Sequence, residues 1–318
     1  MSYPESRLTR LEQVQDLVAA VGLDEAALAD IVADALAEDL GGRGVLPPGS
    51  GAGVDVTSVA TIDADATTSA RFVVRAPGLL AGAPVAAYVM ALVCGEAGPF
   101  RIDLRIADGS AVVRGDVIMT VGGNTRALLR AERVALNLLT QMSGVATATR
   151  TWVEALAGTS AQVRDSRKTV PGLRMLQKYA VRVAGGVNHR MSLADAALIK
   201  DNHVVAAGGV VEAYRAVRAS FPEVPVQVEV TSLEQARAVV AAGADDVLLD
   251  NMSLASMRQV VAELRNRARF EASGGLTLTS AVEVAATGVN SVAVGSLTHS
   301  APVLDIALDF VTTTLEIG

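Results

Sequence analysis

A chain of 318 residues with 27 Lys and Arg against 34 Asp and Glu carries a net charge of -7, which argues against a general nucleic-acid binder, since phosphate affinity needs broad basic surface. Its length suits one large domain with a smaller companion, or a single barrel with additions. Apolar residues make up 51% and aromatics 3%, so the expected core is built from small Ala and Val side chains.

Residues 6–40 read as helical. LTRLEQVQDLVAAVG and DEAALADIVADALAEDLG repeat apolar residues at three- and four-residue spacing, and each ends at a glycine. GGRGVLPPGSGAG (41–53), with Pro47 and Pro48 in its middle, is expected to be a surface loop. After Asp55 come short extended runs, ARFVVRAPGLLAG, FRIDLRIADGS and DVIMTVGG, punctuated by Pro–Gly, Asp–Gly and Gly–Gly. The apolar helix APVAAYVMALVCG lies among them, which suggests a small α+β unit. Its Cys94, the single cysteine, cannot form an internal disulfide and reads as a buried small hydrophobe. A long helical stretch follows from Thr125 to Gly158, almost uniformly apolar in its middle. No basic-then-apolar leader opens the chain and no apolar run reaches the roughly 20 residues that cross a bilayer. The expectation is therefore a soluble, cytoplasmic protein with no membrane partner.

From about residue 160 the rhythm changes. Six short apolar runs, AQVRDSRKT, AALIKDN, VQVEVTS, DVLLDN, RFEASGG and SVAVGSL, alternate with helical segments. Such a βα series predicts parallel strands joined by right-handed helical crossovers. No Gly-x-Gly-x-x-Gly follows the first strand, which disfavours a dinucleotide fold.

Chemistry on a parallel βα sheet collects at the carboxyl ends of the strands. Those ends carry, in turn, Arg167 and Lys168; Lys200, Asp201 and Asn202; Glu229; Asp250 and Asn251; Glu271 with Ser273, Gly274 and Gly275; and Gly295 with Ser296. Any one of them is explained by a solvated strand end, but six in succession point to one active-site rim. Between Arg164 and Lys200 stand eight Lys or Arg against two acids, Asp165 and Asp195. Clustered cations beside glycines suit a ligand with several carboxylates or phosphates. The turns at Ser273-Gly274-Gly275 and Gly295-Ser296 are candidates to cradle a phosphate on backbone amides. Glu229 and Asp250 are candidates to hold Mg²⁺, directly or through water, or to bind ribose hydroxyls; pairing with Lys200 or Arg190 is the structural alternative. His189, His203 and His299 lack ligand spacing, so zinc is not expected.

SRKTVPGLRMLQKYAVRVAGGVNHRMSLADAALIKDNH (166–203) closely resembles the signature of quinolinate phosphoribosyltransferases. The likeness continues through VEVTSLEQA, DDVLLDNMS, EASGGLT and GVNSVAVGSLTHSAP, and upstream through AEDLG, DVTS, PGLLAG and ERVALNLLTQMSG. Ser166 stands where the family usually has Thr; the insert at 41–53 and an N-terminal extension are not family features.

The resemblance implies an incomplete six-stranded α/β barrel preceded by a smaller α+β domain, with the division near 140: residues 1–140 cover the active site of a partner subunit and 141–318 form the catalytic barrel, a C-terminal helix packing back on the first domain. It implies homodimers or assemblies of dimers. Carried over residue by residue, Arg133 reaches the site from the partner; Arg167, Lys168, His189 and Arg190 bind the carboxylates of quinolinate, with Ser166 beside them. Lys200, Glu229 and Asp250 face phosphoribosyl pyrophosphate and its Mg²⁺. Ser273, Gly274, Gly275, Val294, Gly295 and Ser296 hold the ribose phosphate, with His299 beside it. Three other readings stay open: a related transferase with a different acceptor, a Schiff-base aldolase using Lys200, and a non-catalytic protein that binds phosphometabolites.

Overall fold

A computed structural model describes residues 6–45 and 53–311. By its contacts the chain divides into two compact units: residues 1–147, 171–183 and 301–318, and residues 148–170 and 184–300.

In the first unit, strand β1 (Ser6–Leu8) precedes helices α1 (Leu11–Ala20), α2 (Glu25–Asp39) and α3 (Val56–Thr61). Then come β2 (Thr67–Val74), β3 (Gly78–Leu79), α4 (Ala83–Ala97), β4 (Arg101–Leu104), β5 (Ala111–Val112), β6 (Val117–Asn124) and the long α5 (Thr125–Ala155), whose last turns belong to the second unit. Helix α4 is apolar all round and buried along nearly its whole length, as such a helix must be. It holds Cys94, whose thiol burial pushes up to about 12. The main sheet runs β1-β4-β6-β2-β13, where β13 is Ile306–Val311 and all pairs are antiparallel.

Three local expectations differ from these elements, each for a physical reason. Residues 6–8 are a strand because they pair with Leu104–Ile102 along an edge that would otherwise leave backbone groups unpaired. Residues 56–61 turn helical because the Asp55 carboxylate accepts from the Thr57 and Ser58 amides, capping the first turn. Residues 306–311 are a strand on β2 rather than part of a C-terminal helix; Arg75 on the β2 side and Asp309 seal the pairing with an ion pair at 2.6 Å. Residues 46–52 of the Gly/Pro loop and 312–318 lie outside the described residues.

The strands of the second unit are β7 (Gln162–Arg164), β8 (Ala197–Ile199), β9 (Val226–Val230), β10 (Asp246–Asp250), β11 (Arg269–Ser273) and β12 (Ser291–Ala293). All six expected strands form and all pair in parallel, in the order β7-β12-β11-β10-β9-β8. Helix α6 (Arg174–Val183) belongs to the first unit; α7 (Asp201–Ala207), α8 (Val210–Ser220), α9 (Leu233–Ala241), α10 (Leu254–Leu264), α11 (Leu278–Ala285) and α12 (Ser296–His299) follow the strands.

Alternation along each strand sorts its side chains. Val163, Val228, Val230, Val247, Leu249, Phe270, Ala272 and Val292 join the apolar core shared with the helices. Their neighbours Arg164, Gln227, Glu229, Asp246, Asp250, Glu271 and Ser291 take the other face. Two strands separate β7 from β10, yet Arg164 Nη1 lies 3.0 Å from Glu271 Oε2 and 3.9 Å from Asp246 Oδ2. A flat sheet with strands about 4.8 Å apart could not bring those groups together. The sheet therefore curls into a barrel, left open between its edges β7 and β8.

Candidate active site

The carboxyl ends of all six strands meet at one cavity of about 690 Å³. The turn after β7 supplies Ser166, Arg167 and Lys168; Ser166 Oγ accepts from the Lys168 amide at 3.1 Å, closing a local turn. Residues 187–190 run beside β7, with a bridge between Arg164 and Val187, and bring in His189 and Arg190. Asp165, wholly buried, accepts from the His189 amide at 2.7 Å and from Asn188 Nδ2 at 2.6 Å. Strands β8, β9 and β10 deliver Lys200, Glu229 and Asp250, while β11 and β12 end in the turns Ser273-Gly274-Gly275 and Val294-Gly295-Ser296.

The charges are arranged by sign. Burial lowers the pKa of Arg190, the positive charge of Arg167 lowers it further, and Asp195 opposes. Arg167 Nε is buried with no acceptor among the described residues. Two guanidiniums that repel each other, one with an unmatched donor, are matched by a planar anion. Facing them, Lys200 Nζ and Glu229 Oε2 stand 3.7 Å apart. Burial raises the pKa of Glu229; Lys200 lowers it, and the carboxylates of Asp250 and Asp201 raise it again. Asn251 Nδ2 donates to Asp250 Oδ2 at 2.8 Å. No cluster of three or more metal-ligating side chains occurs among the described residues. Two neighbouring carboxylates are nevertheless the donor set that suits Mg²⁺ when a substrate brings phosphate oxygens of its own.

The glycine turns admit a ligand to bare backbone. Gly274 has φ +98°, and a Cβ there would overlap the Asn251 amide. A Cβ on Gly295 would lie 2.9 Å from Lys168 Cδ, 3.4 Å from Ser166 Oγ and 3.5 Å from His299 Nε2. The first and last strand ends therefore close on one another.

The sequence profile of the quinolinate phosphoribosyl transferase C-terminal domain matches residues 145–309, and that of the N-terminal domain matches residues 55–143. The chain belongs to the quinolinate phosphoribosyltransferase family. It is 50% identical over 260 residues to a nicotinate-nucleotide pyrophosphorylase (carboxylating) of Mycobacterium leprae, covering 81% of this chain and 91% of that protein. Identity to the probable counterpart in Bacillus subtilis is 40% over 256 residues, with 80% and 87% covered. The solved structure of the nicotinate-nucleotide pyrophosphorylase from Francisella tularensis superposes with a TM-score of 0.82 at 33% identity, covering 91% of this chain and 98% of that one.

Of the positions that resemblance to the quinolinate phosphoribosyltransferase family singled out, Ser166, Arg167, Lys168, His189, Arg190, Lys200, Glu229, Asp250, Ser273, Gly274, Gly275, Val294, Gly295, Ser296 and His299 all line the cavity. Arg133 does not; it lies on α5 in the first unit, 62% exposed, with Glu132 3.9 Å away. Both ring nitrogens of His189 are engaged inside the protein, by the Arg190 amide at 2.7 Å and Gln227 Oε1 at 2.8 Å. Asn251 and Glu271, expected on the rim from the strand ends, line the cavity too, while Asp165, Leu198, Leu248, Leu276 and Ala293 line it without having been singled out for the site. Period-two counting would have found two of the missed residues: Leu198 is two before Lys200 and Leu248 two before Asp250.

Proposed function

We propose that this chain transfers the phosphoribosyl group of phosphoribosyl pyrophosphate to the ring nitrogen of quinolinate. The products are nicotinate mononucleotide, pyrophosphate and CO₂, a step of de novo NAD biosynthesis. The observation that carries this reading is the division of one cavity into a cationic wall, Arg167, Lys168 and Arg190, and an acidic pair, Glu229 and Asp250.

The cationic wall binds the two carboxylates and turns the pyridine nitrogen toward ribose C1. That nitrogen carries no proton at neutral pH, so no general base is required. The C1–O bond to pyrophosphate breaks with its electron pair leaving on oxygen. Glu229 and Asp250 face the positive charge that develops on the ribose, and Lys200 lies close to the departing phosphates. The same two carboxylates would hold Mg²⁺, directly or through water; when bound, it supplies positive charge against the pyrophosphate oxygens. Loss of the carboxylate beside the quaternised nitrogen as CO₂ leaves its electron pair on the ring carbon, where the adjacent pyridinium stabilises it until a solvent proton arrives. The Ser273-Gly274-Gly275 and Val294-Gly295-Ser296 turns receive the ribose 5-phosphate on backbone amides, with His299 beside them. Arg133 acts from a partner subunit in a homodimer, or an assembly of dimers, working in the cytoplasm.

Purified protein incubated with quinolinate, phosphoribosyl pyrophosphate and Mg²⁺ is expected to release nicotinate mononucleotide and CO₂ in equal amounts. A folded protein that yields neither overturns the reading. Gly274→Ala is expected to raise the KM for phosphoribosyl pyrophosphate roughly tenfold, because an L residue at positive φ costs about 1–3 kcal/mol and its Cβ displaces Asn251. Steady-state kinetics check this, and an unchanged KM would remove the turn from the phosphate site. The aldolase alternative needs a desolvated amine, whereas Lys200 is 49% exposed and paired with Glu229. No helix among the described residues is long and apolar enough to cross a membrane.

A further inference from the structure

The barrel interior beneath the cavity holds a chain of hydrogen bonds whose direction is set at both ends. The Arg190 backbone N–H, which can only donate, lies 2.7 Å from His189 Nδ1. His189 Nε2 lies 2.8 Å from Gln227 Oε1. Gln227 Nε2 lies 2.9 Å from Asp246 Oδ1, an acceptor. An amide proton at the start leaves Nδ1 bare, so the ring proton sits on Nε2 and points to Gln227. Reversing the Gln227 amide would set oxygen against the Asp246 carboxylate and nitrogen against the ring N–H. Only one assignment satisfies all three contacts.

We infer that Gln227, held by Asp246, is a positioning residue that locks His189 as the neutral Nε2–H tautomer and, through Nδ1, fixes the backbone of Arg190. His189 then does not grip a ligand carboxylate itself. With its nitrogens committed inward, it stands beside the cationic wall without charge of its own, and it serves Arg190. The Arg190 side chain is anchored separately, Nη1 donating to the Ala196 carbonyl at 2.9 Å. Backbone and guanidinium are thus both tied, which holds the donor fork in place before ligand arrives.

The surrounding charges fit this arrangement. Glu271 Oε1 is 3.9 Å from His189 Nε2, which by itself would favour an imidazolium. Its other oxygen is taken up by Arg164 at 3.0 Å and Ser291 Oγ at 2.9 Å, so its charge is largely answered from β7. Burial pushes the Asp246 carboxyl up, and the hydrogen bond from Gln227 is the main influence holding it down. Neither Gln227 nor Asp246 lines the cavity, so their effect on a ligand passes through His189.

The inference rests on the proposed quinolinate site only for its kinetic consequence, and the test keeps the two apart. In ¹⁵N-histidine-labelled protein near neutral pH, the signal lost in His189→Asn is expected to show a protonated Nε2 and a bare Nδ1. In Gln227→Leu that signal becomes a mixture of tautomers. The KM for quinolinate then rises about tenfold, as for loss of one positioning hydrogen bond, while that for phosphoribosyl pyrophosphate stays within about twofold. A merely structural role would shift stability without this split. An Nδ1–H tautomer or an imidazolium in the unaltered protein overturns the inference, as does a folded Gln227→Leu protein with unchanged KM values. The spectrum of the unaltered protein decides the matter even where the variant does not fold or quinolinate is not the acceptor.

Discussion

Arg190→Ala is expected to raise the KM for quinolinate about 100-fold, with kcat at saturation changed less than about fivefold. Charge-assisted hydrogen bonds to a carboxylate contribute about 1.5–3 kcal/mol, and 2.7 kcal/mol is a factor of about 100. The loss falls on KM because the carboxylates are bound alike before and during the transfer, so ground and transition states suffer together. Two features of this site set the size. The guanidinium is partly withdrawn from water, and Arg167 beside it already lowers its pKa, so an arriving anion relieves repulsion as well as forming bonds. Truncation also frees Arg167 from that repulsion, which keeps the loss near 100-fold rather than far above it. Arg190→Lys restores the charge without the planar fork and should recover only part of the affinity. Steady-state kinetics with quinolinate varied provide the check; a folded Arg190→Ala protein whose KM moves less than twofold removes Arg190 from the carboxylate wall.

Glu229→Gln is expected to act on the other parameter, lowering kcat by about 10²-fold or more while the KM for quinolinate moves less than about threefold. The substitution keeps the shape and removes one negative charge opposite the ribose. A unit charge about 5 Å from the cation developing at C1 is worth about 3 kcal/mol at an effective dielectric of about 20, a factor of about 150 in rate. The carboxylate is mostly buried, 13% exposed, so solvent replaces little of what is lost. Lys200 loses its partner in the same step, and its freed ammonium adds an unanswered positive charge beside the ribose. The Mg²⁺ concentration giving half-maximal rate should rise as well, since one of the two carboxylates is gone. A kcat within threefold of the unaltered protein, at saturating substrates, would leave Glu229 with a structural part only.

The barrel was legible because its signal is local and repeated. Each of β7 to β12 is a short apolar run ending in polar residues, and each was expected as a strand; the helices between them carry strong periodicity. Gln227 and Glu229, or Asp246 and Asp250, stand on one face by the pleat alone. The elements that escaped, Ser6–Leu8, Val56–Thr61 and Ile306–Val311, are three to six residues long. So short a stretch has little preference of its own. Two are strands only because a distant edge, β4 or β2, has backbone groups left to pair.

The basic segment from Arg164 to Lys200 shows where the division lies. Its excess of positive charge is a property of composition, and it was enough to imply an anionic ligand. Composition did not say which of the eight cations meet that ligand; the family resemblance named Arg167, Lys168, Arg190 and Lys200, and the structure showed where the other four go. Arg167, Lys168, Arg190 and Lys200 line the cavity, and Arg164 turns beneath it to Glu271. Arg174, Lys178 and Arg182 lie on α6 in the first unit, Lys178 wholly buried. The sequence by itself determined the family, the six parallel strands and the residues at their ends, because those follow from motifs and from periods of two and 3.6 read along the chain. Only the tertiary structure decided the curl that sets Arg164 against Asp246, the pairing of Lys200 with Glu229, and the tautomer of His189. These depend on distances between residues far apart in sequence, and such distances exist only once the sheet has closed most of the way on itself.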